Sequence, residues 1–259
     1  MENMKSKKII KAVIPVLIAL FSIFIVARYA ASAEFHAKTI AALDDKKTTV
    51  MELAAASTAA STAITLIPGD TATPIAEKLA DLTSYFLLVL CVLYLEKYLV
   101  TITGYLTFVI LIPAACVLWS ANVFFENDAW RRLAKKISFF GIAMFLLIPS
   151  SAKVSGMIET TYQASIEKTI ENAKDTTEEI KKEGKKEEEG ILSGIISNVK
   201  EGVSNVTEKV ENILNNFIEA LAVMLVTSCV IPVVVLLFFV WLIKNILGAD
   251  ISLKKKTMN

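Results

Sequence analysis

The sequence predicts an all-α, multi-spanning helical membrane protein with five or six membrane helices and a protruding antiparallel helical hairpin or coiled coil. Three observations predict this class. Hydrophobic residues are 54% of the 259 and charged residues 20%, and the charges are gathered into a few segments. Five apolar runs bounded by charge follow one another at 12–27, 82–95, 98–125, 137–152 and 220–243. Finally, Leu192, Ile196, Val199, Val203, Val206, Val210, Ile213 and Phe217 alternate by four and three residues. That spacing keeps one seam facing a partner helix. The charge-free run 220–243 follows at once and exceeds the roughly 20 residues needed to cross a bilayer. One helix is therefore expected to leave a coiled coil and enter the membrane after Phe217. At about 1.5 Å per residue, 191–243 would be a rod of roughly 80 Å.

Residues 1–33 read as an N-terminal membrane anchor. Lys5, Lys7, Lys8 and Lys11, the run 12–27 and then Ala31-Ser32-Ala33 imitate a cleaved signal peptide. The run is long for that purpose, and Arg28-Tyr29 intervenes, so an uncleaved anchor is expected. Residues 34–81 form an Ala/Ser/Thr-rich helical segment that is a candidate for embedding in the membrane. Asp44 to Lys47 reads as an interruption, and Thr49-Val50-Met51-Glu52 has the spacing of a capping box, predicting a new helix from Thr49 to Pro68-Gly69. Ser57, Ser61 and Thr65 fall on one stripe of it, with Thr58 and Thr62 beside them. The stripe either lines a water path or packs helix against helix, as small residues do in membrane bundles.

Residues 82–152 carry membrane helices. Thr73-Pro74 is a start signal for a helix reaching about Val100, Gly104 marks a reversal, and 105–124 returns. Within 128–136, Trp130, Leu133 and Ile137 share a face while Arg131, Arg132, Lys135 and Lys136 take the rest, which predicts a short interfacial basic helix. Residues 153–217 form the extramembrane coiled-coil hairpin: a helix 154–183 with a weaker seam (Ile166, Ile170, Ala173, Thr177, Ile180), a charged turn 184–190, and the seam helix. Residues 218–259 are the final membrane helix and a basic tail. With five spans, Arg131 to Lys136 and Lys254 to Lys256 lie outside, against the positive-inside rule. If 53–69 also crosses, making six, all basic clusters fall inside and the hairpin outside.

Enzyme chemistry has few residues to work with. His36 is the only histidine, read as an ordinary surface residue, so histidine-based metal sites and Ser-His or Cys-His dyads lack partners. Carboxylates are absent from the apolar runs, and Cys91, Cys116 and Cys229 sit inside them as packing residues. No catalytic residue, metal site or cofactor is predicted. Net charge is +1, and no basic footprint for nucleic acid exists. The expected partners are the lipid bilayer and, through the hairpin, a second copy or another protein.

Pro68-Gly69-Asp70-Thr71-Ala72-Thr73-Pro74-Ile75, followed by the run 82–95 and Glu96-Lys97, resembles a pattern in a family of uncharacterised bacterial multi-spanning inner-membrane proteins. The resemblance covers about the first 100 residues and implies a location in the bacterial inner (plasma) membrane, without an activity. Two function classes are carried forward. One is a non-enzymatic membrane scaffold or interaction protein working through its hairpin. The other is a homo-oligomeric channel lined by the Ser/Thr helix.

Overall fold

Apart from Glu126, the charges that bound the apolar runs do not break the helices. A computed structural model describes the backbone at 2–66, 73–189 and 196–256, and the side chains at 9–66, 73–181 and 209–245. Among the described residues there are five continuous helices and no strand. Helix α1 is Glu2–Phe21, a π turn Ser22–Val26 and Ala27–Ala30; α2 is Ala37–Ile64; α3 is Thr73–Tyr105, a π turn Leu106–Leu111 and Ile112–Phe125. Helix α4 is Asp128–Glu189, and α5 is Ile196–Leu225, a π turn Val226–Val230 and Ile231–Lys256.

Four of these are long and apolar enough to cross a membrane, over Ile9–Ala30, Thr73–Phe125, Asp128–Lys181 and Lys209–Asn245. The five apolar runs become four because 82–95 and 98–125 lie on the same helix. Glu96 and Lys97 are good helix formers that continue it. Gly104 is not a reversal. A Cβ there would sit 2.0 Å from the Ala30 carbonyl oxygen, so the missing side chain admits α1 against α3. Helix α2, the candidate sixth span, is not among the four. Its mixture of Ala, Ser and Thr gives little insertion energy.

Three further expectations are corrected. The basic helix 128–136 is the first part of the 62-residue α4 and not a separate element, because nothing between Lys136 and Ile137 stops a helix. Helix α2 does not restart at Thr49. Lys47 pairs with Asp44 at 2.9 Å along the same helix, and the Thr48 and Thr49 hydroxyls donate back to the carbonyls of Asp44 and Asp45. The turn placed at 184–190 is helical through Glu189, as a run of Lys and Glu allows. Gly190, Leu192 and the stop at Pro68-Gly69 lie outside the described residues, as do the side chains of Ile196, Val199, Val203 and Val206.

The π turns at 106–111 and 226–230 precede Pro113 and Pro232. Proline lacks an N–H and crowds the carbonyl four residues back, so the helix widens and releases carbonyls to other donors. Ser22 donates to the Phe108 carbonyl at 2.8 Å, and Ser155 to that of Thr227 at 2.5 Å.

The chain divides into two compact units, discontinuous in sequence: Met1–Leu43, Leu95–Val154 and Ile231–Asn259 form the first, and Asp44–Tyr94 and Ser155–Val230 the second. In the first unit α1 runs antiparallel to the end of α3, with Ala30 beside Gly104, Ser22 on Phe108 and Ser120 donating to Ala12. Thr107 then donates to the Gly141 carbonyl of α4 at 2.9 Å. Between α3 and α4, Glu126 takes a left-handed conformation (φ 47°) and the Asn127 side chain caps the Ala129 N–H. Large apolar side chains of this unit point outward, Phe24 and Phe125 each 72% exposed, as lipid-facing residues do.

The second unit is a four-helix bundle. Ser57 of α2 meets Leu79 of α3, Lys46 of α2 meets Glu159 of α4, Phe86 of α3 meets Phe217 of α5, and Lys209 of α5 pairs with Glu179 of α4. Helices α4 and α5 run antiparallel here. Both expected seams are buried where described: Ile166, Ile170, Ala173, Thr177 and Ile180 on one, Val210, Ile213 and Phe217 on the other. The α5 seam does not end at Phe217. It continues through Ala220, Met224, Thr227 and Ile231, so packing persists inside the apolar run where entry into the membrane was expected.

Candidate functional site: the hydroxyl face of α2

Helix α2 owes its length to Ala-rich sequence, with its hydroxyls turned back onto backbone. The five hydroxyl residues divide into two sets. Ser57 is fully buried and donates to the Leu79 carbonyl at 2.7 Å; Ser61, half-buried, donates to the Ala76 carbonyl at 2.7 Å. Both acceptors belong to α3. A carbonyl already within its own helix has a second lone pair, and a hydroxyl at four-residue spacing reaches it when the helices approach closely.

Thr58, Thr62 and Thr65 are exposed. Their hydroxyls donate within α2, to Ala54 at 2.8 Å, Thr58 at 2.9 Å and Thr62 at 2.7 Å. Thr58 also lies 3.2 Å from Thr83, which in turn donates to Leu79. Ser57 and Ser61 thus tie α2 to α3, Thr58 donates locally while its hydroxyl lies at the edge of the same contact, and Thr62 and Thr65 are satisfied locally.

Two polar residues that sequence reasoning missed belong to buried positions. Lys46 is only 4% exposed, and its Nζ lies 3.6 Å from Glu159. The sign that would have found it is spacing: Leu43, Lys46, Val50, Leu53, Ser57, Ala60 and Ile64 are all buried and recur by three and four. His36, expected on the surface, is buried in the first unit. Its Nε2 lies 2.9 Å from the Ala30 carbonyl, which can only accept, so Nε2 carries the proton. Phe35 and Phe145 surround the ring at centroid distances of 5.0 and 5.7 Å. His36 therefore closes the carboxyl end of α1, a structural use of the sole histidine.

An open cleft of about 220 Å³ between α2 and α4 is lined by Glu52, Glu167, Ile170, Glu171, Lys174 and Asp175. Among the described residues no group of three or more His, Cys, Asp or Glu is arranged to hold a metal ion. The three cysteines are free thiols. In comparisons with known proteins, the chain matches no family model, no curated protein and no solved structure.

Proposed function

We propose that the protein is a non-enzymatic integral membrane scaffold or interaction protein, resident in the bacterial inner membrane, whose bundle and hairpin engage a second copy or a protein partner. The observation that carries this reading is the use of the hydroxyl stripe. Ser57 and Ser61 give their hydrogens to a neighbouring helix, the remaining three to their own, and the sole histidine closes a helix end. These polar groups serve architecture.

The channel reading needs Ser57 and Ser61 to face water, and a variant series separates the two. Ser57→Ala is expected to cost about 1 kcal/mol through the lost hydrogen bond. Ser57→Leu should cost roughly 1–3 kcal/mol more, because there is no room for the added carbons. Thermal unfolding in mild detergent measures both. Ser57→Cys should stay unreactive toward a small thiol reagent, and the wild type in liposomes should pass no ions. Ion flux blocked by modification of Ser57→Cys would replace the scaffold with the channel.

Four crossings also remove the strain that five imposed. With an even number, Lys5 to Lys11, Arg131 to Lys136 and Lys254 to Lys256 share the inner side, and the α4–α5 connection lies outside, without a crossing by α2. Single cysteines at Ser6, Gly184 and Thr257, in a background lacking the native three, test this with an impermeant thiol reagent. Ser6 and Thr257 should label together and Gly184 from the opposite side. Labelling of Gly184 with Thr257 would overturn the four-crossing topology.

A further inference from the structure

We propose that the end of the first unit where α1 begins and α3 turns into α4 is a docking surface for anionic phospholipid headgroups of the surrounding leaflet, an inference that rests on the membrane reading above. Register carries it. Ala30 lies on Gly104, Ser22 on Phe108 and Ala12 on Ser120. Continued along the two antiparallel helices, that register sets the α1 positions Lys11, Lys8, Lys7 and Lys5 level with about 121–127 of the chain. The next residues begin α4, with Arg131, Arg132, Lys135 and Lys136 in its first turns. Two basic clusters separated by more than a hundred residues in sequence therefore share one level, and on these ends of α1, α3 and α4 the acidic residues are Glu2, Glu126 and Asp128. Asp128 is itself paired with Arg131 at 2.9 Å.

The chemistry around these cations is that of a membrane surface. Lys11, Arg131, Arg132 and Lys136 are exposed. Phe125 and Trp130 stack across the turn with centroids 5.9 Å apart, and both reach outward, as aromatic side chains do at headgroup depth. Toward the helix interiors, Ile9, Ile10, Val13 and Phe124 are exposed and apolar. Acyl chains would cover that apolar side and phosphate oxygens would meet the cations, and guanidinium groups suit phosphate because they offer paired donors. A protein or nucleic-acid partner would have to displace the lipid that the adjoining apolar side chains require.

Trp130 provides the probe. In full-length protein carrying Trp119→Phe and Trp241→Phe, its fluorescence is read in phosphatidylcholine vesicles containing phosphatidylglycerol, with bromine placed on one lipid or the other at equal mole fraction. Quenching by the brominated anionic lipid should exceed that by the neutral lipid roughly threefold or more, and the excess should shrink at high salt. Arg131→Gln, Arg132→Gln, Lys135→Gln and Lys136→Gln combined should bring the ratio to about one. The combined Lys5→Gln, Lys7→Gln, Lys8→Gln and Lys11→Gln variant should lower it in part, and it serves as the second arm should the first fail to fold by circular dichroism. Equal quenching by both lipids in the wild type, or a ratio that neither variant lowers, overturns the proposal while leaving the membrane reading intact. Absence of quenching by either lipid overturns both.

Discussion

Gly104→Ala is expected to lower the unfolding transition of the first unit by more than the same change at either of the other two described glycines, Gly141 and Gly156. Helix propensity argues for the opposite sign, since Ala in a helix interior is favoured over Gly by about 1 kcal/mol. Contact geometry decides the matter. The added Cβ would lie 2.0 Å from the Ala30 carbonyl oxygen, 2.7 Å from its carbon and 3.2 Å from the Ala31 nitrogen. All three are backbone atoms, which cannot retreat as the tip of a side chain can. Helix α1 would have to move away as a body, loosening the bonds from Ser22 to Phe108 and from Ser120 to Ala12, and His36 would lose its fixed acceptor on Ala30. Overpacking of this kind costs roughly 1–3 kcal/mol and more where backbone must shift, so a net loss of about 2 kcal/mol or more is expected. Gly156→Ala is the control, because nothing lies within 4 Å of a Cβ there. It should gain roughly 0.5–1 kcal/mol from propensity alone. Denaturant unfolding in detergent measures both, and a Gly104→Ala protein as stable as the Gly156→Ala protein would mean that α1 does not approach α3 at Ala30.

What the sequence shows and what it hides turns on the contrast between the buried ridge of a helix and its other faces. The seams of α4 and α5 were legible because apolar residues stood out against polar neighbours; Val210, Ile213 and Phe217 are buried, and so are Ile166 and Ile170. In α3 the same spacing runs through Leu82, Phe86, Val89, Leu93, Glu96, Val100, Thr103 and Thr107, all buried. It was invisible because the positions between them are also apolar, such as Leu87, Leu88 and Leu95, which face outward. A helix apolar on every side has no period to read. Glu96 made matters worse: a carboxylate between two apolar runs looks like a boundary, yet here it occupies a seam position. In α2 the obstacle was the reverse. Lys46 and Ser57 occupy the buried ridge but do not count as apolar, so the pattern that stands out is the four-residue line of Ser57, Ser61 and Thr65. That line crosses from the buried face to the exposed one, and for this reason its hydroxyls have two kinds of partner. Gly104 illustrates a third limit, since a lone glycine serves a turn and a close helix contact equally well, and only the neighbour decides which.

Phe217→Ala should produce the largest loss in the second unit and tests whether the α5 seam is packed. The side chain is fully buried, and its ring lies 6.3 Å from that of Phe86 at 64°, an edge-to-face arrangement between α3 and α5. Truncation removes the transfer energy of a ring and leaves a cavity among helices that cannot all close on it, which together cost about 3–5 kcal/mol. Loss of the aromatic pair adds roughly 0.5–1.5 kcal/mol to what area alone predicts. Phe86→Ala should cost a similar amount, and the double variant less than the two separately, because the second truncation finds the ring contact already gone. Ile218→Ala, one residue along on the exposed face, should change stability by no more than about 0.5 kcal/mol. The direct readout is limited proteolysis of full-length protein in detergent. With Phe217→Ala the region 155–230 should be cut faster, while the fragments of the first unit persist. A Phe217→Ala protein as protease-resistant and as thermally stable as Ile218→Ala would show that this face of α5 meets solvent, and the bundle would have to be abandoned. The expected contrast between two adjacent residues follows from helical geometry: neighbours along the chain are separated by about 100° around the axis, so only one of them can face Phe86.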